Sequence, residues 1–170
     1  DGGFHPEENT TRAEILKIIL SAAQIDTREP EQACFSDIYT SNWQAKYVCS
    51  GSDLGITKWY EDGTFRPNGT ITVLETLAFW ARAFDLDIES LWEWDAWYEK
   101  YQAFAHIHNI MPIHSYTTDT LISRGQAAQV INNMRLYAEN EKLDYKSIGC
   151  ESTPGLDSWT YTIDVWWLER

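Results

Sequence analysis

Histidine and carboxylate side chains are the groups in this sequence that could carry acid–base chemistry or hold a metal ion. His106 and His108 stand two residues apart in a stretch with helical periodicity, so they point in different directions and make a poor metal pair. The sequence contains neither an HExxH motif nor a CxxC pair. We therefore expect no metal, no cofactor and no enzyme activity.

One acidic stretch could supply the paired carboxylates of a hydrolase. Its members share a predicted helical face: Glu89, Glu93, Asp95 and Glu99. Acidic faces of this kind are far more often simply solvated, and we interpret this one in that way. The Asp62-Gly63 pair could suggest calcium, but the dense alternating ligands of an EF-hand loop do not surround it.

The composition narrows the class of protein. The 170 residues, 44% of them apolar, suit one domain, and the nine Trp suggest heavy core anchoring, a surface for carbohydrate or partner, or both. A net charge of -13 makes nucleic acid and anionic membrane surfaces poor partners, and no apolar run approaches transmembrane length. No basic and apolar leader opens the sequence, so we expect a mature protein or a fragment.

Three segments of the chain repeat one pattern. The segment from Asp1 to Ala23 aligns without a gap with the segment from Asp62 to Phe84, at an offset of 61 residues. A weaker third copy follows at a further offset of 51 residues. In each copy a Ser or Thr lies three residues before Glu or Gln, the signature of a capping box at a helix start. The pairs are Thr11/Glu14, Thr72/Glu75 and Ser123/Gln126.

A second helix is predicted before the second and third capping boxes. Trp43, Tyr47, Gly51 and Leu54 share one face of the first of these helices, which Ser41 or Asn42 can cap and Gly55 can end. Trp97 and Tyr101 occupy the equivalent positions in the other helix. Because Trp43 and Trp97 lie on the apolar stripes, we expect them in the core. One such unit cannot bury its own apolar face, so neighbouring units must cover it.

The second unit resembles the S-layer homology motif. The matching residues, in order, are Phe35-Ser36-Asp37-Ile38, Trp43, Tyr47-Val48, Leu54-Gly55-Ile56, Trp59 to Asn68 and Ile71-Thr72. The N-terminal piece supplies Thr11-Arg12-Ala13-Glu14, which resembles the helix-opening motif of the family. The resemblance covers most of residues 1–140 and is weakest in the third copy.

The resemblance implies an all-α, pseudo-threefold helical bundle of S-layer homology motifs. We divide the repeat domain, residues 1–140, into a half motif at 1–26, a motif at 34–87 and a degenerate motif at 88–140. Residues 141–170 are interpreted as a linker followed by a strand-like extension, because apolar and polar residues alternate over 159–167. We therefore predict a C-terminal β-strand attached to the bundle.

In that family, grooves between the motifs bind secondary cell-wall polysaccharide, often carrying pyruvate ketals. The resemblance implies that the Arg of the helix-opening motif binds the anion, and an Arg beside the free N–H groups of a helix start suits a carboxylate. Arg12 and Arg124 hold this position, whereas Val73 implies a weakened or silent third groove. Both arginines could also be merely solvated. The predicted ligand-binding residues are Arg12, Arg124, Glu14, Trp59, Asp62 and Gly63.

The function that follows is non-enzymatic attachment to the extracellular bacterial cell surface or cell wall, with cell-wall polysaccharide as the partner. An alternative is a structural subunit of a surface layer or filament, which assembles with copies of itself through the half-repeat and the C-terminal strand. An extracellular location favours a disulfide between Cys34 and Cys49 over two buried thiols, and closing that loop would contribute about 3 kcal/mol. Cys150 would remain as a free thiol or an intermolecular link.

Overall fold

The computed structural model describes residues 3–58, 60–86, 88, 96–111 and 116–138. These residues form five helices and no strand beyond isolated bridges, which confirms the all-α class for this part of the chain. The predicted linker and strand at 141–170, with Cys150, lie outside the described residues, as does Trp59. The helices are α1 (Arg12–Ala22), α2 (Ala45–Asp53), α3 (Val73–Ala83), α4 (Glu99–Ile107) and α5 (Arg124–Ala138).

All three predicted capping boxes are present. The Thr11 hydroxyl accepts from the backbone N–H of Glu14 at 3.3 Å, and the Glu14 carboxylate accepts from the backbone N–H of Thr11 at 2.9 Å. The pairs Thr72/Glu75 and Ser123/Gln126 make the same two bonds, at 3.0–3.2 Å. Helices α1, α3 and α5 therefore begin in the same way, and each of these caps typically stabilises a helix by about 1 kcal/mol.

The segments that carry the capping boxes meet in a closed ring. Antiparallel bridges join Thr11 to Thr70, Thr72 to Leu121, and Ser123 back to Asn9. The three bridges join equivalent positions of the repeat, as the offsets of 61 and 51 residues show. The ring therefore has pseudo-threefold symmetry. Equivalent backbone hydrogen bonds of 2.8–2.9 Å join the first residues of α1, α3 and α5 to the turn of another repeat. The N–H groups donate to carbonyls in the pairs Arg12 to Gly69, Val73 to Thr120, and Arg124 to Glu8.

Helices α2 and α4 pack outside this ring, α2 against α1 and α4 against α3. Gly51 allows α2 to approach closely, because a Cβ atom there would lie only 3.2 Å from the side chain of Leu16. Gly55, with a φ of +72°, follows the end of α2 as predicted. The predicted caps at Ser41 or Asn42 are wrong: the N-cap residue is Gln44, and it makes no side-chain capping bond.

The core is built from the apolar stripes of α1, α3 and α5, joined by α4. Trp80 of α3 is almost fully buried, and its ring lies 5.9 Å from that of Phe104 on α4. The ring of Tyr137 on α5 lies 5.2 Å from that of Phe104, so one aromatic cluster links the three helices. At the edges of these stripes, Ala22, Phe84 and Ile131 are only partly buried.

The prediction that Trp43 and Trp97 belong to the core is wrong. Their side chains are 49% and 55% exposed. Helices α2 and α4 begin at Ala45 and Glu99, two residues beyond each Trp, so both tryptophans lie in the preceding turn and not on the helical stripe. The helical periodicity predicted from the sequence does not apply to the turn before each helix.

The predicted disulfide between Cys34 and Cys49 is present, with the two Cα atoms 5.4 Å apart. It fastens the start of the second repeat to α2. Immediately after it, the Phe35 ring packs 5.6 Å from the Phe65 ring, and the Asp37 carboxylate accepts from the backbone N–H groups of Phe65 and Arg66 at 2.9 and 2.7 Å. The disulfide thus supports the loop from which Phe65 projects.

Candidate ligand-binding grooves

Two surface grooves occupy equivalent places in the repeat. The groove beside Arg12, hereafter the Arg12 groove, has a volume of about 320 Å³. The groove beside Arg124, the Arg124 groove, has a volume of about 630 Å³. The first is lined by Arg12, Lys58, Tyr60, Glu75, Ala78, Phe79, Arg82 and Trp97. The second is lined by Phe4, Thr10, Glu14, Lys17, Ile18, Trp43, Arg124, Ala127, Ala128, Ile131, Asn132 and Arg135.

Arg12 is buried under its own groove. Its side chain is 4% exposed, and Nη1 forms an ion pair of 2.7 Å with the Glu75 carboxylate. Its Nε donates to the Phe65 carbonyl at 2.9 Å. The guanidinium also lies against the rings of Tyr60, Phe65 and Phe79, with Cζ 4.8–5.2 Å from their centroids. Arg12 therefore joins the first repeat to the second.

Arg124 makes the equivalent carbonyl and carboxylate contacts, and its guanidinium lies over one ring, that of Phe4. Its Nε donates to the Phe4 carbonyl at 2.9 Å, and its Nη1 lies 3.6 Å from the Glu14 carboxylate. Phe4 and Glu14 are the repeat equivalents of Phe65 and Glu75. The Arg124 side chain is 35% exposed, against 4% for Arg12, so a ligand can reach its guanidinium.

Glu14 stabilises the helix start and also faces Arg124. Burial pushes its pKa up, but hydrogen bonds from the backbone and hydroxyl of Thr11, the charge of Arg124 and a hydrogen bond from Thr10 together hold the pKa below its ordinary value. Glu14 is consequently an anion at neutral pH. It can orient Arg124 and accept a hydrogen bond, for example from a sugar hydroxyl.

Exposed aromatic side chains form the rims of both grooves, and sequence reasoning missed them. Trp43 flanks the Arg124 groove, with its ring 6.0 Å from that of Tyr47. Trp97 flanks the Arg12 groove, with its ring 6.2 Å from that of Tyr101. The signal available in the sequence was their shared repeat position just before a helix start. Exposed aromatic faces of this kind suit apolar sugar faces.

The third position of the repeat has no cation at the helix start. Val73 stands where Arg12 and Arg124 stand in the other repeats, and it is fully buried. Tyr116 and Gln126 take the positions of Phe65 and Glu75. Burial raises the pKa of the Tyr116 hydroxyl, which keeps this side chain neutral. The junction between the second and third repeats is therefore uncharged at the position where the other two are charged.

Asp62 and Gly63 line neither groove. The Asp62 carboxylate accepts from the hydroxyl and backbone N–H of Thr64 at 2.6 and 3.0 Å and pairs with Arg66 at 2.9 Å. Gly63 has a φ of +75° and donates its N–H to the Tyr60 carbonyl. These two residues build the turn before α3. The hydrogen bonds from Thr64, followed by that from Arg66, lower the Asp62 pKa to about 2.

The Asp62 turn predicts an acid-dependent stability difference. A folded pKa of about 2, below the ordinary value of 3.8, means that ionised Asp62 stabilises the fold above about pH 4 and loses this effect as the pH falls towards 2. Asp62→Asn should therefore be less stable than wild type at pH 6, and the two should converge by about pH 2. Urea unfolding across this range measures the gap. Asp119→Asn, at an exposed turn, controls for loss of one charge, and an undiminished gap at pH 2 would contradict the prediction.

The described residues contain neither a metal-binding cluster nor a membrane-spanning helix. No group of three or more His, Cys, Asp or Glu side chains in this part of the chain is arranged to hold a metal ion. Among the same residues, no helix has the length and apolar character needed to cross a membrane.

Comparison with known proteins finds matches for part of this chain. Residues 35–72 match the S-layer homology domain. The chain is 36% identical to cell surface glycoprotein 1 of Acetivibrio thermocellus over an alignment of 77 residues, which covers 44% of the chain. The chain spans 3% of the length of that protein. The predicted resemblance is thus confirmed, and the domain class is one of binding and anchoring modules. Both matches support a location at the extracellular cell surface or cell wall.

Proposed function

We propose that this chain is a non-enzymatic module that anchors a protein to the bacterial cell surface by binding cell-wall polysaccharide in its inter-repeat grooves. The observation that carries the proposal is the Arg124 groove, in which an accessible guanidinium, a fixed carboxylate and an exposed Trp43 line a cavity of about 630 Å³. Such a combination of aromatic face, cation and hydrogen-bond acceptor suits a sugar chain with acidic substituents.

In this arrangement each side chain has a distinct part. Trp43 stacks on a sugar ring, and Arg124 binds an acidic group. Glu14 accepts a hydrogen bond from a sugar hydroxyl and also orients Arg124.

Arg12 acts differently, because its contacts with Phe65 and Glu75 bury it. In this proposal Arg12 positions the wall of the Arg12 groove, and Trp97 and Lys58 on the rim contact the ligand. Asp62 and Gly63 support the same wall through their turn.

The repeat domain at 1–140 would act as one unit in this function. The closed ring of bridges supports this, because the half motif, the motif at 34–87 and the degenerate motif are each bonded to the other two. Assembly into a surface layer or filament stays a prediction, since its proposed strand lies outside the described residues.

Retention on isolated cell-wall polysaccharide of Acetivibrio thermocellus, the organism of the matched relative, tests the proposal. Wild type should be retained, while Arg124→Ala and Trp43→Ala should each weaken binding about tenfold or more, as expected for loss of a charge-assisted hydrogen bond or an aromatic stacking contact. Arg28→Ala removes an exposed Arg that lines neither groove and should bind as wild type does. Undiminished retention of both groove variants would refute the site, and no retention of wild type would refute the function.

A further inference from the structure

One face of α5 is uncovered, whereas the equivalent faces of α1 and α3 are covered by other helices. In the described part of the chain, α2 packs on α1 and α4 packs on α3, and no equivalent helix packs on α5. Gly51 of α2 lies against Leu16 of α1. Their repeat equivalents, Ala105 of α4 and Leu77 of α3, line one internal cavity. The third position of this arrangement is open.

Residues at equivalent positions of the three helices differ in burial. Leu16 of α1 and Leu77 of α3 are buried, whereas Ala128 of α5 is exposed. One turn further on, Leu20 of α1 is buried, and its equivalent on α5, Asn132, is exposed. We call the open surface of this helix the α5 face. It consists of four residues that line the Arg124 groove: Ala128, Ile131, Asn132 and Arg135.

The opposite wall of the groove is open in the same way. Ile18 of α1 lines the Arg124 groove and is 43% exposed, although its repeat equivalents Phe79 and Val130 are buried. The volume of this groove, about 630 Å³, is also about twice the 320 Å³ of the Arg12 groove. The uncovered helix face accounts for this difference. It leaves apolar side chains in water, which favours their coverage by another segment.

The sequence after α5 contains a segment at the distance expected for such a cover. We call residues 156–168, which lie outside the described residues, the C-terminal segment. Residues 23–44 connect α1 to α2, and residues 84–98 connect α3 to α4. Residues 139–155 separate α5 from the C-terminal segment, and this stretch is intermediate in length between the other two. The same chain can therefore return to α5 as it returns to α1 and α3.

The C-terminal segment has the composition of a covering helix. Leu156, Trp159, Ile163 and Trp166 follow one another at intervals of three or four residues, the spacing of a single helical face. The alternation over 159–167 also fits a strand, but the covers on α1 and α3 are helices. We therefore expect a helix that presents these four apolar side chains to the α5 face.

The charges of the groove and of the C-terminal segment complement each other. Among the described residues, the groove lining contains three cations and one carboxylate: Lys17, Arg124, Arg135 and Glu14. The C-terminal segment carries two carboxylates, Asp157 and Asp164, and no cation. In a chain of net charge -13, a lining with more cations than anions favours an acidic segment that also carries apolar side chains.

We propose that the C-terminal segment docks on the α5 face of the same chain, in the place that α2 takes on α1 and α4 takes on α3. The docked segment would leave Arg124, Glu14 and Trp43 open to the groove. Their repeat equivalents all line the Arg12 groove, although α2 covers α1 there: Arg12, Glu75 and Trp97. Docking is independent of the proposed function, because it requires no polysaccharide.

Hydrogen–deuterium exchange of the full chain, measured by mass spectrometry, tests the docking. In wild type, the backbone amides of the C-terminal segment should exchange at least about tenfold more slowly than those of a synthetic peptide of residues 156–168. Ala128→Glu places a carboxylate on the α5 face and should remove most of this protection. Gln129→Glu is the matched control, because Gln129 is exposed, adjacent on α5 and outside both grooves. It should leave the exchange as in wild type.

Reciprocal variants keep the test decisive if Ala128→Glu alters α5 itself. Trp159→Ser and Trp166→Ser change only the C-terminal segment, and each should raise the exchange of residues 128–135 of α5 about threefold or more. Tyr145→Ser changes an aromatic residue between α5 and the segment and should leave that exchange unchanged. Size-exclusion chromatography with light scattering gives the oligomeric state of each variant at the concentrations used.

Three other outcomes would overturn the docking. The first is a C-terminal segment that exchanges as fast as the free peptide. The second is protection that Ala128→Glu leaves intact, together with unchanged exchange of α5 in the two Trp variants. The third is protection that rises with protein concentration as a dimer forms, which would identify the segment of a second copy as the occupant. None of these outcomes concerns polysaccharide retention, so the proposed function would stand in each case.

Discussion

Replacing Arg12 by alanine is expected to lower the free energy of unfolding by about 3 kcal/mol, the cost typical of removing one partner of a buried ion pair. The change removes the 2.7 Å ion pair with Glu75 and the bond to the Phe65 carbonyl. It also removes the stem that packs against the rings of Tyr60, Phe65 and Phe79. Glu75, only 23% exposed, would then be a partly buried carboxylate without its cation. Urea unfolding followed by Trp fluorescence measures the loss.

The other repeats of the chain provide the controls. Arg124→Ala removes the equivalent but more exposed contacts and should cost less than about 1 kcal/mol. Arg12→Val with Glu75→Gln copies the uncharged third junction, where Val73 and Gln126 hold these positions. Because replacing both partners leaves no unpaired charge, the double variant should be more stable than Arg12→Val alone. Equal losses in the Arg12 and Arg124 variants would contradict the assigned burial.

Removal of the disulfide is expected to have a comparably large effect on stability. The chain-entropy treatment gives about 3 kcal/mol for a loop of this length; the two cysteines are separated by 15 residues. The effect should extend beyond chain entropy, because Cys34 directly precedes the Phe35–Asp37 segment that holds the backbone of Phe65. The Phe65 carbonyl in turn accepts from Arg12. We therefore expect that removing both cysteines of the second repeat also weakens the junction between the second repeat and the first.

The measurement compares Cys34→Ser/Cys49→Ser with its parent, both carrying Cys150→Ser so that no third thiol can exchange with the disulfide. Urea unfolding of the parent with and without dithiothreitol provides a second estimate of the same loss. Combining the double serine variant with Arg12→Ala tests the coupling, since independent effects would add within about 0.5 kcal/mol. A serine variant as stable as its parent would contradict the prediction.

The sequence predicts those features of the fold that depend on neighbouring residues. The capping pairs Thr11/Glu14 and Thr72/Glu75 are four-residue signals, and the turn that follows α2 needs one residue with positive φ, Gly55. The position of Trp43 is not predicted, because its exposure depends on where α2 begins. No side-chain cap marks that start, so periodicity alone could not locate it.

The candidate site also has features that the sequence predicts and features that it does not. That Arg12 and Arg124 occupy equivalent positions follows directly from the repeat. Their unequal exposure does not, because it is set by partners far away in the chain: Arg12 contacts residues 53 and 63 positions further on. Lys17 gave no signal as a single residue of an amphipathic helix. Trp43 and Tyr47 come to lie beside it only because α2 and the turn before it pack against α1.

The ring of capping segments has a consequence for how the protein folds and unfolds. In a linear array of repeats, each unit touches only its neighbours, so an end unit can fray without disturbing the rest. Here the first turn of α5 bonds to Pro6 and Glu8, so the first and third repeats are direct neighbours. Closing this contact requires a loop of more than a hundred residues, which raises the contact order and delays folding. Each repeat is thereby an interior repeat, and unfolding should proceed in one cooperative step.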